Sequence, residues 1–91
     1  LQEQPLAGAR VLDAGSGSGL LSVAAACLGA AHVQAFDVDE RAAPNGSELA
    51  EWNGVQGTCV FQHSGFEALD GLSERFDIVL ANIYSDVIQR H

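Results

Sequence analysis

An α/β fold of the doubly wound, parallel-sheet kind follows from three observations. A nearly continuous apolar run at positions 9–14 leads into a loop, Gly15-Ser16-Gly17-Ser18-Gly19, with glycine at alternating positions. A second apolar run, 20–28, lacks the alternation of a half-buried strand, and the β-prone stretch His32-Val33-Gln34-Ala35-Phe36-Asp37 follows it. A strand, a tight turn, a helix and a second strand in so short a span imply a right-handed parallel crossover, which brings the glycine loop and Asp37 to the same sheet edge.

Each element has its own local reason. Positions 1–8 carry polar residues and Pro5 and read as a lead-in loop. The run at 9–14 suits a strand covered on both faces. From 20 to 28 the residues are small or aliphatic on every side, so this helix is expected to be buried against the sheet, with Gly29 as its stop. The second strand occupies 32–37. Asp39 can cap a helix that runs to about Asn53 and ends at Gly54, although Pro44 and Gly46 weaken its first half unless it begins at Pro44. Leu49, Ala50 and Trp52 are expected to face the sheet. Thr58-Cys59-Val60-Phe61-Gln62 makes a third strand, 67–72 at most a short helix, and Phe76-Asp77-Ile78-Val79-Leu80-Ala81 a fourth strand. Asn82-Ile83-Tyr84 lies just past its end, and Ser85 or Asp86 caps a helix that has barely started at His91. The expected sheet order is 3-2-1-4, with a ligand crevice between the first and fourth strands. The whole, 1–91, is expected to be a partial domain truncated on its C-terminal side, with the fourth strand an apolar edge.

Composition narrows the function. Twelve acidic against four basic residues among 91 give a formal charge of -8, which disfavours direct contact with nucleic acid. Cys27 and Cys59 sit in apolar contexts with no C-x-x-C spacing, as expected for buried, reduced thiols in a cytosolic protein. The most apolar run is too short to span a bilayer, so the expectation is a soluble, cytoplasmic chain without membrane association. His32, His63 and His91 form no ligand cluster; they read as surface or strand-end residues, and no metal is expected.

The glycine loop excludes two ligand classes. A dinucleotide fingerprint, G-x-G-x-x-G, would place its third glycine at Leu20, one residue past Gly19, and a phosphate loop would need a lysine that is absent. What remains is a backbone that approaches a ligand closely and a helix N-terminus aimed at it. Asp37, 20 residues beyond Gly17, stands where a carboxylate can accept two hydrogen bonds from a ribose diol. Asp13 could orient the loop amides or a bound ammonium, or merely tie down a turn. A ligand with a carboxylate, an ammonium, a ribose and an adenine but no phosphate fits this set, and S-adenosylmethionine is such a ligand.

These residues carry a resemblance. Val11-Leu12-Asp13-Ala14-Gly15-Ser16-Gly17-Ser18-Gly19 resembles the first motif of class I S-adenosylmethionine-dependent methyltransferases, which have a Rossmann-like fold, and Phe36-Asp37-Val38-Asp39 resembles their acidic second-strand motif. More narrowly, Ala50-Glu51-Trp52-Asn53-Gly54-Val55 and the stretch from Phe76 to Tyr84 are similar to the methyltransferases of ribosomal protein L11. The resemblance implies that Gly15, Gly17 and Gly19 contact the methionine portion of the cofactor, Asp37 the ribose, and Val38 the adenine face, with Ser64 and Gly65 at the adenine edge. It assigns Asn82 to the acceptor side, as the catalytic residue that aims an amine at the methyl group and also borders the cofactor, and it lets Tyr84 shape the acceptor channel. The implied acceptor is an amino group of a ribosomal protein, a lysine side chain or an N-terminal amine. Alternatives are a class I methyltransferase acting on a small molecule or another protein, and a non-catalytic cofactor-binding domain. Many relatives place an aspartate after the third strand, where this chain has His63-Ser64-Gly65.

Overall fold

The computed structural model describes residues 5–65 and 75–81. It contains β1 (Arg10–Ala14), α1 (Leu20–Cys27), β2 (His32–Asp37), α2 (Ala42–Trp52), β3 (Cys59–His63) and β4 (Ile78–Ala81). The four strands are all parallel and ordered β3-β2-β1-β4, as the sequence predicts. Both crossovers, β1 to β2 and β2 to β3, advance in the same direction, so right-handedness puts α1 and α2 on one face of the sheet.

Side-chain alternation divides the core. Val11 and Val33 point to the helical face, where Val23, Ala25 and Ala26 of α1 and Ala50 of α2 cover them. Leu12, Ala14 and Phe36 point to the other face and pack with Phe76. A strand buried on both faces has no polar side to display, which explains why β1 is nearly all apolar beyond its exposed first residue, Asp13 being the exception. Residues 67–72, the start of the expected last helix, Asn82 and Tyr84 lie outside the described residues.

Both helices end as the sequence predicts. Gly29 N–H donates to Ala26 and Ala30 N–H to Ala25, and Gly54 N–H and Val55 N–H close α2 in the same way on Glu51 and Ala50. The start of α2 resolves the Pro44 question. Because the helix begins at Ala42, Pro44 falls in the first turn, where a backbone N–H has no intrahelical partner to lose. Asp39 does not cap the helix as expected: Arg41 stands at the N-cap without a side-chain cap bond, and the Asp39 Oδ1 accepts from Arg41 N–H at 2.9 Å in the turn just ahead.

Four further expectations need correction. α1 is buried on one side only: Ser22, Val23, Ala25 and Ala26 face inward, while Leu20, Leu21 and Leu28 are exposed, Leu20 at 63%. Trp52 is 76% exposed, because the inward stripe of α2 is Ala42, Gly46 and Ala50, and a residue two positions beyond Ala50 lies across the helix from it. Cys27 is exposed on the outer side of α1, whereas Cys59 is buried. β1 and β4 begin later than expected, at Arg10 and Ile78, with Asp77 bridging them: its carboxylate accepts from Arg10 N–H at 2.9 Å and its N–H donates to Arg10 carbonyl at 2.8 Å.

Gly46, which the sequence presents as a weak point of the helix, is a packing requirement. A Cβ there would lie 2.5 Å from two carbons of the Phe61 ring, and a Cβ on Gly19 would lie 2.6 Å from the Gly46 Cα. The start of α1, the backbone of α2 and the Phe61 ring of β3 therefore meet without a side chain between the two helices. Gly19 also has φ of +88°, a conformation that costs an L-residue about 1–2 kcal/mol. Gly17, at φ +57°, has open space where a Cβ would be. Gly19→Ala should therefore destabilise the chain by about 3 kcal/mol, strain and overpacking combined, and Gly17→Ala by only about 1 kcal/mol. Urea unfolding of the two variants checks this; equal losses would contradict it.

Candidate ligand site at the glycine loop

The loop between β1 and α1 is held by its neighbours at almost every amide. Gly15 N–H and Ser16 N–H both donate to the Phe36 carbonyl, at 2.8 and 3.1 Å, and Gly19 N–H donates to Ser16 carbonyl at 2.9 Å. Gly17 N–H donates to Asp37 Oδ2 at 2.8 Å. The other oxygen of Asp37, Oδ1, accepts from Asp39 N–H at 2.8 Å. Loop and β2 tip thus form one hydrogen-bonded unit, and the sequence expectation that they share a sheet edge holds.

Beside this unit lies a cleft of about 590 Å³, lined by Gly17 and Ser18 from the loop, Asp37, Val38 and Asp39 from the β2 tip, and Arg41, Ala42 and Asn45 from the start of α2. Its size suits a small-molecule ligand. Of the three loop glycines only Gly17 lines it; Gly15 and Gly19 shape the turn behind. Val38 lines it with a side chain 69% exposed. The described walls stand over β1 and β2, on one flank of the crevice expected between β1 and β4.

Charge in the cleft is acidic. Arg41 is its one cationic lining residue among those described, and Asp39 already engages it, with Arg41 Nη2 donating to Oδ2 at 2.9 Å and Nε to Oδ1 at 3.1 Å. These hydrogen bonds from Arg41 lower the Asp39 carboxyl to about 2, so the pair stays ionised at neutral pH. A phosphate would find no free cation on these walls.

Asp13 is completely buried beneath α1, on the helical face of β1. It does not hold the loop amides, which are bonded elsewhere. Instead its Oδ2 accepts from Ser22 Oγ at 2.5 Å, and its Oδ1 has no hydrogen-bond partner among the described residues. Burial pushes this carboxyl above its ordinary value of 3.8, the Ser22 hydrogen bond works against that, and the nearby charge of Asp37 adds to it. Ser22 is a residue the sequence reading passed over, since a serine inside an apolar helix signals a buried partner only once the facing strand is known.

After β3, Ser64 N–H donates to the Asp37 carbonyl at 3.0 Å, which brings Ser64 to the β2 tip, although it does not line the described cleft. Its Oγ is enclosed and has no partner among the described residues. His63, read from sequence as a surface residue, is exposed yet bonded: its Nε2 lies 3.0 Å from the Val38 carbonyl. Cys59 is not part of the cleft, and burial pushes its thiol up to about 11, so it stays protonated. No group of three or more His, Cys, Asp or Glu among the described residues could hold a metal ion, and no helix among them is long and apolar enough to cross a membrane.

The Asp13 burial has a pH consequence. The folded chain holds the Asp13 proton more tightly than the unfolded chain, so ionising it costs stability; the cost is absent below 3.8 and grows as pH rises towards the folded value. Thermal melts of wild type and Asp13→Asn between pH 4 and 7 should therefore diverge, with the wild type losing melting temperature relative to the variant as pH rises. Parallel curves would contradict the assignment.

Comparison with known proteins agrees with this geometry. A family model described as ribosomal protein L11 methyltransferase (PrmA) matches residues 1–90. The ribosomal protein L11 methyltransferase of Exiguobacterium sp. is 47% identical over 81 residues, 89% of this chain and 25% of that protein. The protein of the same name from Bacillus pumilus is 44% identical over 80 residues, 88% of this chain and 25% of that protein. The chain thus spans about a quarter of the length of these curated relatives. Among solved structures, ribosomal protein L11 methylase from Lactobacillus delbrueckii subsp. bulgaricus superposes with a TM-score of 0.60 at 33% identity, covering 66% of this chain and 31% of the other. PRMT6-SAH superposes with a TM-score of 0.63 at 27% identity, covering 72% and 19%. With the glycine loop, the acidic β2 tip and a match over nearly its whole length in agreement, the chain belongs to the ribosomal protein L11 methyltransferase family.

Proposed function

We propose that the chain is the cofactor-binding part of an S-adenosylmethionine-dependent N-methyltransferase acting in the cytoplasm on amino groups of a ribosomal protein. The observation that carries the cofactor is the cleft between Gly17 and Val38, in which Asp37 is the central acceptor. A carboxylate has about four acceptor positions; Gly17 and Asp39 N–H groups use two, which leaves two for a ribose diol. The exposed Val38 side chain offers an apolar wall for a purine. The negative charge of Asp37 favours a cationic ligand over a phosphate-bearing one.

S-adenosylmethionine, when bound, supplies an electrophilic methyl group on a sulfonium. The rest falls to the protein. Asp37 fixes the nucleoside end, the close-approaching backbone of the glycine loop lies against the amino-acid end, and the acceptor must be held in line at about 3 Å. Asn82, which follows β4 and lies outside the described residues, is proposed to hold the acceptor amine through its amide oxygen and aim the lone pair. No strong base is needed, because an amine with a pKa near 10.4 can lose its proton to solvent before transfer. The names of the relatives support the ribosomal protein as acceptor.

Incubation of the protein with S-adenosylmethionine and ribosomal protein L11 should add mass in steps of one methyl group to an amine. Asn82→Ala should lower kcat at least about a hundredfold while leaving S-adenosylhomocysteine affinity within about threefold, the pattern of a lost positioning contact. Transfer unchanged in Asn82→Ala would overturn its role, and binding without transfer to any amine would favour a non-catalytic domain.

A further inference from the structure

The tip of β2 is gripped at a single peptide unit. Its carbonyl, that of Val38, accepts from His63 Nε2 at 3.0 Å, and its N–H, that of Asp39, donates to Asp37 Oδ1 at 2.8 Å. A carbonyl oxygen only accepts, so Nε2 carries the hydrogen, as it does in one neutral tautomer and in the protonated ring alike. One residue earlier, the Asp37 carbonyl is held by Ser64 N–H. Two consecutive carbonyls at the end of β2 are therefore held by two consecutive residues at the end of β3. The first bond is a main-chain bond of the β2–β3 ladder; the second lies past the end of β2, where the His63 side chain, set opposite Asp37 by the strand register, supplies the donor.

This matters because the Val38 side chain has little else to hold it. It is 69% exposed and lines the cleft, so its direction follows from its backbone rather than from packing. Fixing both ends of the Val38–Asp39 peptide fixes that plane, and with it the wall that Val38 presents.

We infer that His63 is a positioning residue for the nucleoside end of the cleft: by holding the Val38 carbonyl it sets the apolar wall against which a purine base stacks. The inference rests on the methyltransferase reading above. It also gives a role to the first residue of the His63-Ser64-Gly65 stretch, which acts on the wall of the site rather than on the base itself.

Calorimetric titration of the protein with S-adenosylhomocysteine and with 5′-methylthioadenosine, which keeps base and ribose but lacks the amino-acid portion, tests it. His63→Leu should weaken both ligands by about the same factor, roughly fivefold, the worth of one neutral hydrogen bond. His63→Gln, whose side-chain N–H reaches a similar distance, should stay within about twofold of wild type. Both variants should keep the wild-type melting temperature, since the His63 side chain is exposed. The inference is overturned by wild-type affinity in His63→Leu, by an equal loss in His63→Gln, by a loss confined to S-adenosylhomocysteine, or by a loss that follows a fall in melting temperature. Should the wild type bind neither ligand, the methyltransferase reading falls and this inference falls with it.

Discussion

Backbone must meet backbone where α1 starts, and the rest of the site depends on that constraint. Gly19 and Gly46 bring the two helices together with the Phe61 ring against them, and no Cβ fits between. The approach keeps the start of α2 beside the glycine loop, so that Ala42 and Asn45 become walls of the same cleft as Gly17 and Val38. It leaves the Gly17 amide within 2.8 Å of Asp37, which ties the end of β1 to the end of β2. The loop thereby becomes part of the sheet edge.

Electrostatics select among the ligands that such a loop can serve. Helix N-termini and glycine loops bind phosphates when a cation stands by. Here Arg41 is held by Asp39, while the carboxylate of Asp37 keeps acceptor positions open beside its bonds from Gly17 and Asp39. The same backbone shape therefore presents an acidic site, suited to a diol and to positive charge. That difference lies in a few side chains and not in the fold.

Much of this was legible in the sequence, for identifiable reasons. β1, the turn, β2 and the order 3-2-1-4 follow from burial on both faces and from the handedness of crossovers, which local residues cannot override. Gly29 and Gly54 end their helices because their position relative to the last turn is a local matter. What the sequence hid depends on partners distant in the chain. Trp52 looks like a core residue until the stripe through Ala42, Gly46 and Ala50 is known to face inward, and Gly46 looks like a defect until Phe61 is seen against it. Ser22 and His63 acquire meaning only from Asp13 and Val38, which stand opposite them across strand or helix contacts. Leu20 and Leu21 read as core because small and aliphatic residues surround α1, yet the sheet covers only one side of that helix.

Titration calorimetry with S-adenosylhomocysteine, with NADH as the phosphate-bearing comparison and Asp37→Ala as the variant, tests the central claim that this cleft is a nucleoside site built on Asp37 and closed to phosphates. The account predicts binding of S-adenosylhomocysteine that weakens about a hundredfold in Asp37→Ala, the worth of two hydrogen bonds to a charged acceptor, and no heat from NADH. Affinity for NADH, or S-adenosylhomocysteine binding that ignores the loss of Asp37, would contradict it.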